Sequence, residues 1–253
     1  ETILFSKLQQ NHVELLYQPF ISTHEKTVQG MLVILNSTEH EEGEEPFSLT
    51  AYDTSTIRHI ANLDIANLML TKMIELIESD IKVLGTLPHS EHPLRVILPV
   101  TNRQLRHIEH KEALIKLAQL LEINGLELKL SVDRGGFENE VDEQLRPHLV
   151  LSDDGSGVEN LGSISPNTDW CLSTLPHGPA SEWDWMTWKN MMVSAEETNT
   201  SIISIGVKDV GQLQFCRKLG IALISGDYIS TPLLAPRFVD WCKQSPVQKL
   251  KLS

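Results

Sequence analysis

Short apolar runs with strand character alternate with helix-patterned segments along most of this 253-residue chain, and that alternation constrains the fold most. Strands buried on both faces read as continuous apolar runs and pair in parallel through helical crossovers. The runs are LRVILPV (94–100), LELKLSV (126–132), LVLS (149–152), the weaker DWCLST (169–174), SIISIGV (201–207) and IALIS (221–225). Between them, TNRQLRHIEHKEALIKLAQLLEING reads as one long helix, with Thr101 capping its start and Gly125 its end. ENEVDEQLRPH reads as a short helix ending near Pro147 and WDWMTWKNMMVSAEE as another helix. DVGQLQFCRKLG is a helix with Asp209 as cap and Gly220 as stop, and RFVDWCK is a last helical turn.

The first part of the chain is built differently. HVELLYQPFIS (12–22) and TVQGMLVILNS (27–37) are strand-like, and the polar link THEK between them predicts a hairpin. The acidic stretch EHEEGEEP (39–46) is too charged to pack and reads as an exposed loop. Helical spacing then runs through Ile57, Ile60, Leu63, Ile65, Leu68 and Met73. About 250 residues suit a single α/β barrel of roughly eight strands. No Gly-rich phosphate loop follows the first strand, which disfavours an open doubly wound sheet. The expectation is one TIM-like (β/α)8 domain over residues 1–253.

Composition narrows the function classes. At 41% hydrophobic the chain can bury a sizeable core, while a formal net charge of -13 repels phosphate backbones and anionic membranes. Direct nucleic-acid binding is therefore not expected; the tail with Lys243, Lys249 and Lys251 is the one basic stretch, and a solubilising terminus is its plainer reading. Cys171, Cys216 and Cys242 are odd in number and far apart, which suits buried thiols in a reducing compartment and neither a zinc module nor a disulfide scaffold. No apolar run reaches a membrane span. The start at Glu1, not Met, reads as an excised piece of a longer protein. On that reading this is a cytoplasmic domain that an upstream segment could anchor in the inner membrane.

Several fragments, in order, resemble the EAL domain family, whose active members are cyclic-di-GMP phosphodiesterases. ELLYQPFIS is similar to that family's E-L-Y-Y-Q-P strand, with Gln18 and Pro19 in place. VILPVTNRQL is similar to V-N-L-S-x-x-Q-L, LELKLSV to L-E-L-E-I-T-E, and SDDGSGVENL to D-D-F-G-T-G-Y-S-S-L. The most specific stretch is ISIGVKDVGQLQFCRKLGIALISGDYISTPL. It keeps the spacing of I-A-E-G-V-E-T-x-E-Q and the Q-G-Y-x-x-S-x-P-L ending, including Gly206, Val207, Gln212, Gly220, Gly226, Ser230 and Pro232. The resemblance implies a TIM-like EAL barrel with an antiparallel first strand.

It also implies a two-metal hydrolase site with oxygen ligands at the carboxyl ends of the strands. Carried over position by position, that site is lost here. The signature Glu falls at Met31, so E-A-L reads M-L-V, and the following Arg falls at Leu35. The ligand Asn falls at Pro99, the ligand Glu of L-E-L-E at Lys129, and the first Asp of D-D at Ser152, leaving Asp153. The Lys of the K-I-D strand falls at Leu172, the Glu of E-G-V-E at Ile205, the next Glu at Lys208, and the Gln of Q-G-Y at Ser225. The resemblance thus implies an inactive, degenerate member with neither metal nor cofactor, in which tight binding of the dinucleotide is not expected.

Other constellations have bland readings. Asp153 and Asp154 sit beside Gly155 and suit turn contacts better than acid–base work. His107 and His110 share a helix face that could hold a metal, yet no third ligand is visible, so the plainer reading is two solvated side chains. HSEH (89–92) and DRGG (133–136) read as loop and turn. WDWMTWKNMM carries three of the five tryptophans; Trp185 and Trp188 share a face that serves either as core or as a partner surface. The expected function is a non-catalytic, protein-binding regulatory domain. One inactive type in this family, known as CsrD or MshH, controls turnover of regulatory RNAs and binds the glucose-specific phosphotransferase IIA component. The alternative is a cyclic-di-GMP receptor without hydrolysis, and the sequence leaves a homodimer open.

Overall fold

The computed structural model describes residues 2–38, 48–49, 63–88, 92–132, 142–153, 170–174 and 182–244. A short helix, α1 (Thr2–Gln9), leads into the hairpin of β1 (Val13–Ser22) and β2 (Thr27–Ser37), and β3 (Ser48–Leu49) pairs with β2. There follow α2 (Leu63–Leu84), β4 (Leu94–Pro99), α3 (Asn102–Arg106), α4 (Ile108–Ile123) and β5 (Leu126–Val132). Next come β6 (Leu149–Asp153), β7 (Trp170–Thr174), α5 (Glu182–Thr198) and β8 (Ser201–Ile205). The chain ends with α6 (Val210–Lys218), β9 (Leu223–Ser225) and α7 (Ala235–Lys243).

All the strands belong to one sheet. β2, β4, β5, β6, β7, β8 and β9 lie side by side in that order, each parallel to the next. β1 pairs antiparallel with β2 along its whole length and with β9 through Phe20–Ser22. The sheet curls, as its packing shows. Phe20, Leu32, Ile97, Val150, Ile203 and Ile205 form one buried cluster although they come from β1, β2, β4, β6 and β8. Side chains from strands that are not neighbours can meet only on the concave face. Each of these six is fully or almost fully removed from water, worth about 1.5–3 kcal/mol apiece by transfer bookkeeping. The convex face carries the alternate residues. There Tyr17, Met31, Val33, Leu35, Val96, Leu98, Leu128 and Leu130 pack against α2, α4 and α7. The fold is α/β with a TIM-like curled sheet.

The hairpin and the parallel strands lie where the sequence pattern puts them, but three helical expectations need correction. The long helix from 101 to 125 is broken at His107, whose backbone (φ -77, ψ 121) ends α3 and begins α4. The break follows from where the two pieces are anchored. Thr101 and Gln104 form a reciprocal capping box, and the buried Gln104 also donates from Nε2 to the Ala66 carbonyl, so α3 is fixed to α2. By contrast α4 lies along β5, with Leu114, Leu117 and Leu121 buried against the strands. The helix expected before Pro147 is reduced among the described residues to a 3-10 turn at Arg146–His148. The last turn is longer than expected, nine residues from Ala235, and α1 was not anticipated.

The predicted caps hold elsewhere. Asp209 accepts from the Gln212 amide at the start of α6, and Gly125 and Gly220 take positive φ just past their helices. Among the described residues no helix is long and apolar enough to cross a membrane. The acidic 39–46 stretch, Ile57, Ile60, DRGG, Asp154, Lys249, Lys251 and all of HSEH except His92 lie outside the described residues.

Candidate functional site

The carboxyl ends of the parallel strands are where an α/β barrel assembles its chemistry. Period-two alternation decides which residue of each strand looks into the concavity. Gln18 is opposite Leu32 and Leu32 opposite Ile97, so these three share the concave face. Met31 is opposite Pro19 and Val96, one step out of phase, and is buried in the convex, helix-facing core; Leu35 is in that core too. Met31 therefore does not face the concavity. The residue of this strand that enters the concavity is Leu32, and the four-residue spacing from Met31 to Leu35 stays wholly on the outer side. A symmetric count from the Ser22–Thr27 end of the hairpin would put Gln18 opposite Met31; the irregularity between Phe20 and Ile21 shifts the register by one residue and puts Leu32 there instead.

The remaining positions fall at the expected ends but with altered chemistry. Ile205 is in the concave apolar cluster. Pro99 ends β4 opposite Ser131, whose Oγ is buried without a hydrogen-bond partner among the described residues. Ser152 is buried and lies opposite Leu172, while Asp153 ends β6 opposite Ser173. Ser225 is fully buried and donates to the Pro19 carbonyl at 2.9 Å. Gln18 is 3% exposed and committed to structure, since its Nε2 donates to Asp227 Oδ1 and to the Ser230 carbonyl, both at 3.1 Å. Lys208 is exposed, and its amide donates to Gln212 Oε1.

The described residues on this face do not fit a pair of divalent metals. Such a pair needs converging carboxylate and amide oxygens. What converges here is Leu32, Ile97 and Ile205 with serine hydroxyls around them, and one carboxamide–carboxylate pair, Gln18 and Asp227, already bonded to each other.

Lys129 departs most from the sequence expectation. It pairs with Ile97 and so faces the concavity, but its ammonium does not occupy the mouth. Nζ lies 2.9 Å from Glu127 Oε1 and donates to the Pro147 carbonyl at 3.2 Å, while Glu127 Oε2 is 3.3 Å from Arg95 Nε. Glu127 and Arg95 belong to the first two residues of β5 and β4, and Pro147 precedes β6, so the side chain runs toward the amino ends, away from the candidate site. A Glu127→Ala variant is expected to lose about 3 kcal/mol. That is the low end of the cost of stripping a buried charge of its partner, because Glu127 is itself a third exposed. Lys129→Met should be close to neutral, and urea unfolding of the two variants checks the contrast. A Lys129→Met loss as large as that of Glu127→Ala would refute the structural role given to the pair.

Trp188 is 4% exposed and stacks edge-on against Phe215 with centroids 5.9 Å apart. Trp185 packs on the same ring at 4.7 Å, with Lys218 Nζ 5.9 Å from its centroid. Trp188 thus belongs to the buried core between α5, α6 and the sheet, and the half-buried Trp185 packs against it. Burial pushes the Cys216 thiol up to about 11 and that of Cys242 up to about 12, so neither supplies a thiolate at neutral pH. On the convex side a groove of about 660 Å3 opens between α4 and β5, floored by Ile115, Ala118, Leu126 and Leu128.

No family model matches the chain, and no curated protein matches its sequence. Solved structures do match in three dimensions. The EAL enzyme Bd1971, in its form bound to cAMP and cyclic-di-GMP, superposes with a TM-score of 0.72 at 16% identity, over 96% of this chain and 68% of that one. The fold is EAL-like. The phosphodiesterase PaMucR, as its cyclic-di-GMP complex, gives a TM-score of 0.67 at 16% identity, covering 93% of this chain and 99% of that one. The Bacillus subtilis YkuI protein, whose EAL domain is complexed with substrate cyclic-di-GMP and calcium, also gives 0.67 at 16% identity, over 98% of this chain and 64% of its own. At such identities the likeness establishes architecture alone.

Proposed function

We propose that this domain is a non-catalytic regulatory module, a protein-binding derivative of the EAL phosphodiesterase scaffold. The observation that carries this reading is the concave cluster of Phe20, Leu32, Ile97, Val150, Ile203 and Ile205. A phosphodiesterase of this architecture needs its metals and activated water at the strand ends. An apolar layer inside the curl, reaching a strand end at Ile205, supports a structural plug instead, because exchanging buried like charges for packed hydrocarbon removes their desolvation cost. On this reading the sheet is a degenerate (β/α)8 barrel of the EAL type. The partner is a protein, with the phosphotransferase IIA component first among candidates. Control of regulatory RNA turnover then runs through protein contacts, because the net charge of -13 opposes direct contact with RNA.

A second reading, a cyclic-di-GMP receptor without hydrolysis, draws on one observation: Gln18 keeps its place on the concave face beside Asp227. Calorimetric titration of the domain with cyclic-di-GMP, in the presence of Mg2+ or Ca2+, separates the two. The expected result is no saturable heat up to about 100 µM ligand, weaker than roughly -5.5 kcal/mol of binding, and no linear dinucleotide released. Saturable binding without turnover would establish the receptor, and turnover would overturn both readings. Retention of purified IIA component on the immobilised domain is the positive test of the first.

A further inference from the structure

The break between α3 and α4 places two imidazoles together. His107 stands at the joint, exposed, and His110 follows one turn later with its ring centroid 5.0 Å away, tilted by 42°. The sequence makes both look like solvated helix residues, but His110 is only 6% exposed. Its Nδ1 is buried and has no hydrogen-bond partner by geometry among the described residues, although the ring also lies against the Gln104 backbone. Buried polar nitrogens are nearly always satisfied, so one left over beside a second imidazole calls for an explanation.

We propose that His107 and His110 form a two-imidazole site for a late first-row divalent cation, Zn2+ or Cu2+, with water completing its shell. This inference is independent of the function proposed above. The distance supports it. An imidazole nitrogen binds Zn2+ at about 2.0–2.1 Å, and two such rings on one tetrahedral ion have centroids about 5 Å apart. Imidazole is the ligand type that suits Zn2+ and Cu2+ over Mg2+ or Ca2+.

His107 is exposed, so its ring can turn to present a nitrogen. Glu109, in the first turn of α4, adds a negative charge that eases a dication close to a helix start. No group of three or more His, Cys, Asp or Glu able to hold a metal occurs among the described residues, hence the role for water. The bound ion would staple the α3–α4 joint, a few residues beyond Pro99 at the end of β4.

The test uses the tag-free domain and Zn2+ alone, followed by competition with a chromogenic chelator, and Cu2+ broadening of histidine ring signals in proton NMR. One equivalent should bind with a micromolar dissociation constant, and the thermal midpoint should rise with Zn2+ concentration. His107→Gln, at an exposed position, should fold as the parent does and weaken binding at least tenfold. His24→Gln, at another exposed histidine, should leave binding unchanged. His110→Gln should match His107→Gln if it folds, but the conclusion does not depend on it. Binding that survives His107→Gln undiminished, or no saturable binding below about 100 µM, overturns the site.

Discussion

A Gly226→Ala variant is expected to lose more than about 4 kcal/mol of folding stability, a large share of the 5–15 kcal/mol a typical domain possesses. Gly226 has φ +144, a conformation L-residues rarely adopt. A Cβ built there would come within 2.3 Å of the Val207 nitrogen and 2.4 Å of its oxygen, backbone atoms that cannot swing away. Those same atoms are bonded: the Val207 amide donates to the Ser225 carbonyl, and the Tyr228 amide donates to the Val207 carbonyl. Any shift that relieves the clash breaks the seam joining the loop after β8 to the turn after β9. Gly220 is the control. It also has positive φ, at +79, but nothing lies within 4 Å of its would-be Cβ, so Gly220→Ala should cost only about 1–2 kcal/mol. Urea unfolding followed by tryptophan fluorescence measures both. Equal losses would mean that backbone conformation alone sets the cost and that the close approach contributes nothing.

That seam explains why one part of the chain was readable from sequence and another was not. From ISIGV to STPL the spacing is dictated by backbone: Gly206 and Gly226 fit the chain to itself, and Asp209 and Gly220 bound the intervening helix. Backbone requirements of this kind show directly in residue type. The parallel strands were legible for a similar reason, since burial on both faces leaves continuous apolar runs.

Continuity is also what hid the site. In TVQGMLVILNS every residue from Met31 to Leu35 is fully buried, so hydrophobicity carries no phase information, and only strand pairing tells that Leu32 faces the concavity and Met31 the helices. Lys129 was misplaced because its strand position fixes where the side chain starts and its four methylenes decide where the charge ends. The break at His107 left no helix-stopping residue in the sequence; it arises from the tertiary hold of Gln104 on Ala66. His110 is buried because it continues the inward stripe of Leu114, Leu117 and Leu121 along α4.

Leu32→Glu puts the proposed lack of a metal site to a direct test, because it places a carboxylate on a residue of β2 that faces inward. Leu32 is fully buried among Phe20, Ile97, Val150, Ile203 and Ile205, with no cation in the cluster. An ionised carboxylate there would be desolvated without compensation, and groups so placed have pKa values raised to about 8–9 from an unfolded value of about 4.3. A raised folded-state pKa means that the ionisation penalty is absent below the unfolded pKa. It grows as pH rises and reaches about 5–6 kcal/mol above the folded pKa. The variant should therefore be folded, though weakened by about 1–3 kcal/mol, near pH 4, and largely unfolded near pH 8. Denaturant titrations at the two pH values, repeated with millimolar Mg2+ or Ca2+, give the answer. If the divalent ions leave the alkaline instability unchanged, neighbouring oxygens do not converge on this position and the apolar plug stands. If they restore folding at pH 8, one substitution has rebuilt a metal site, and the surrounding strand ends still hold the geometry of a hydrolase.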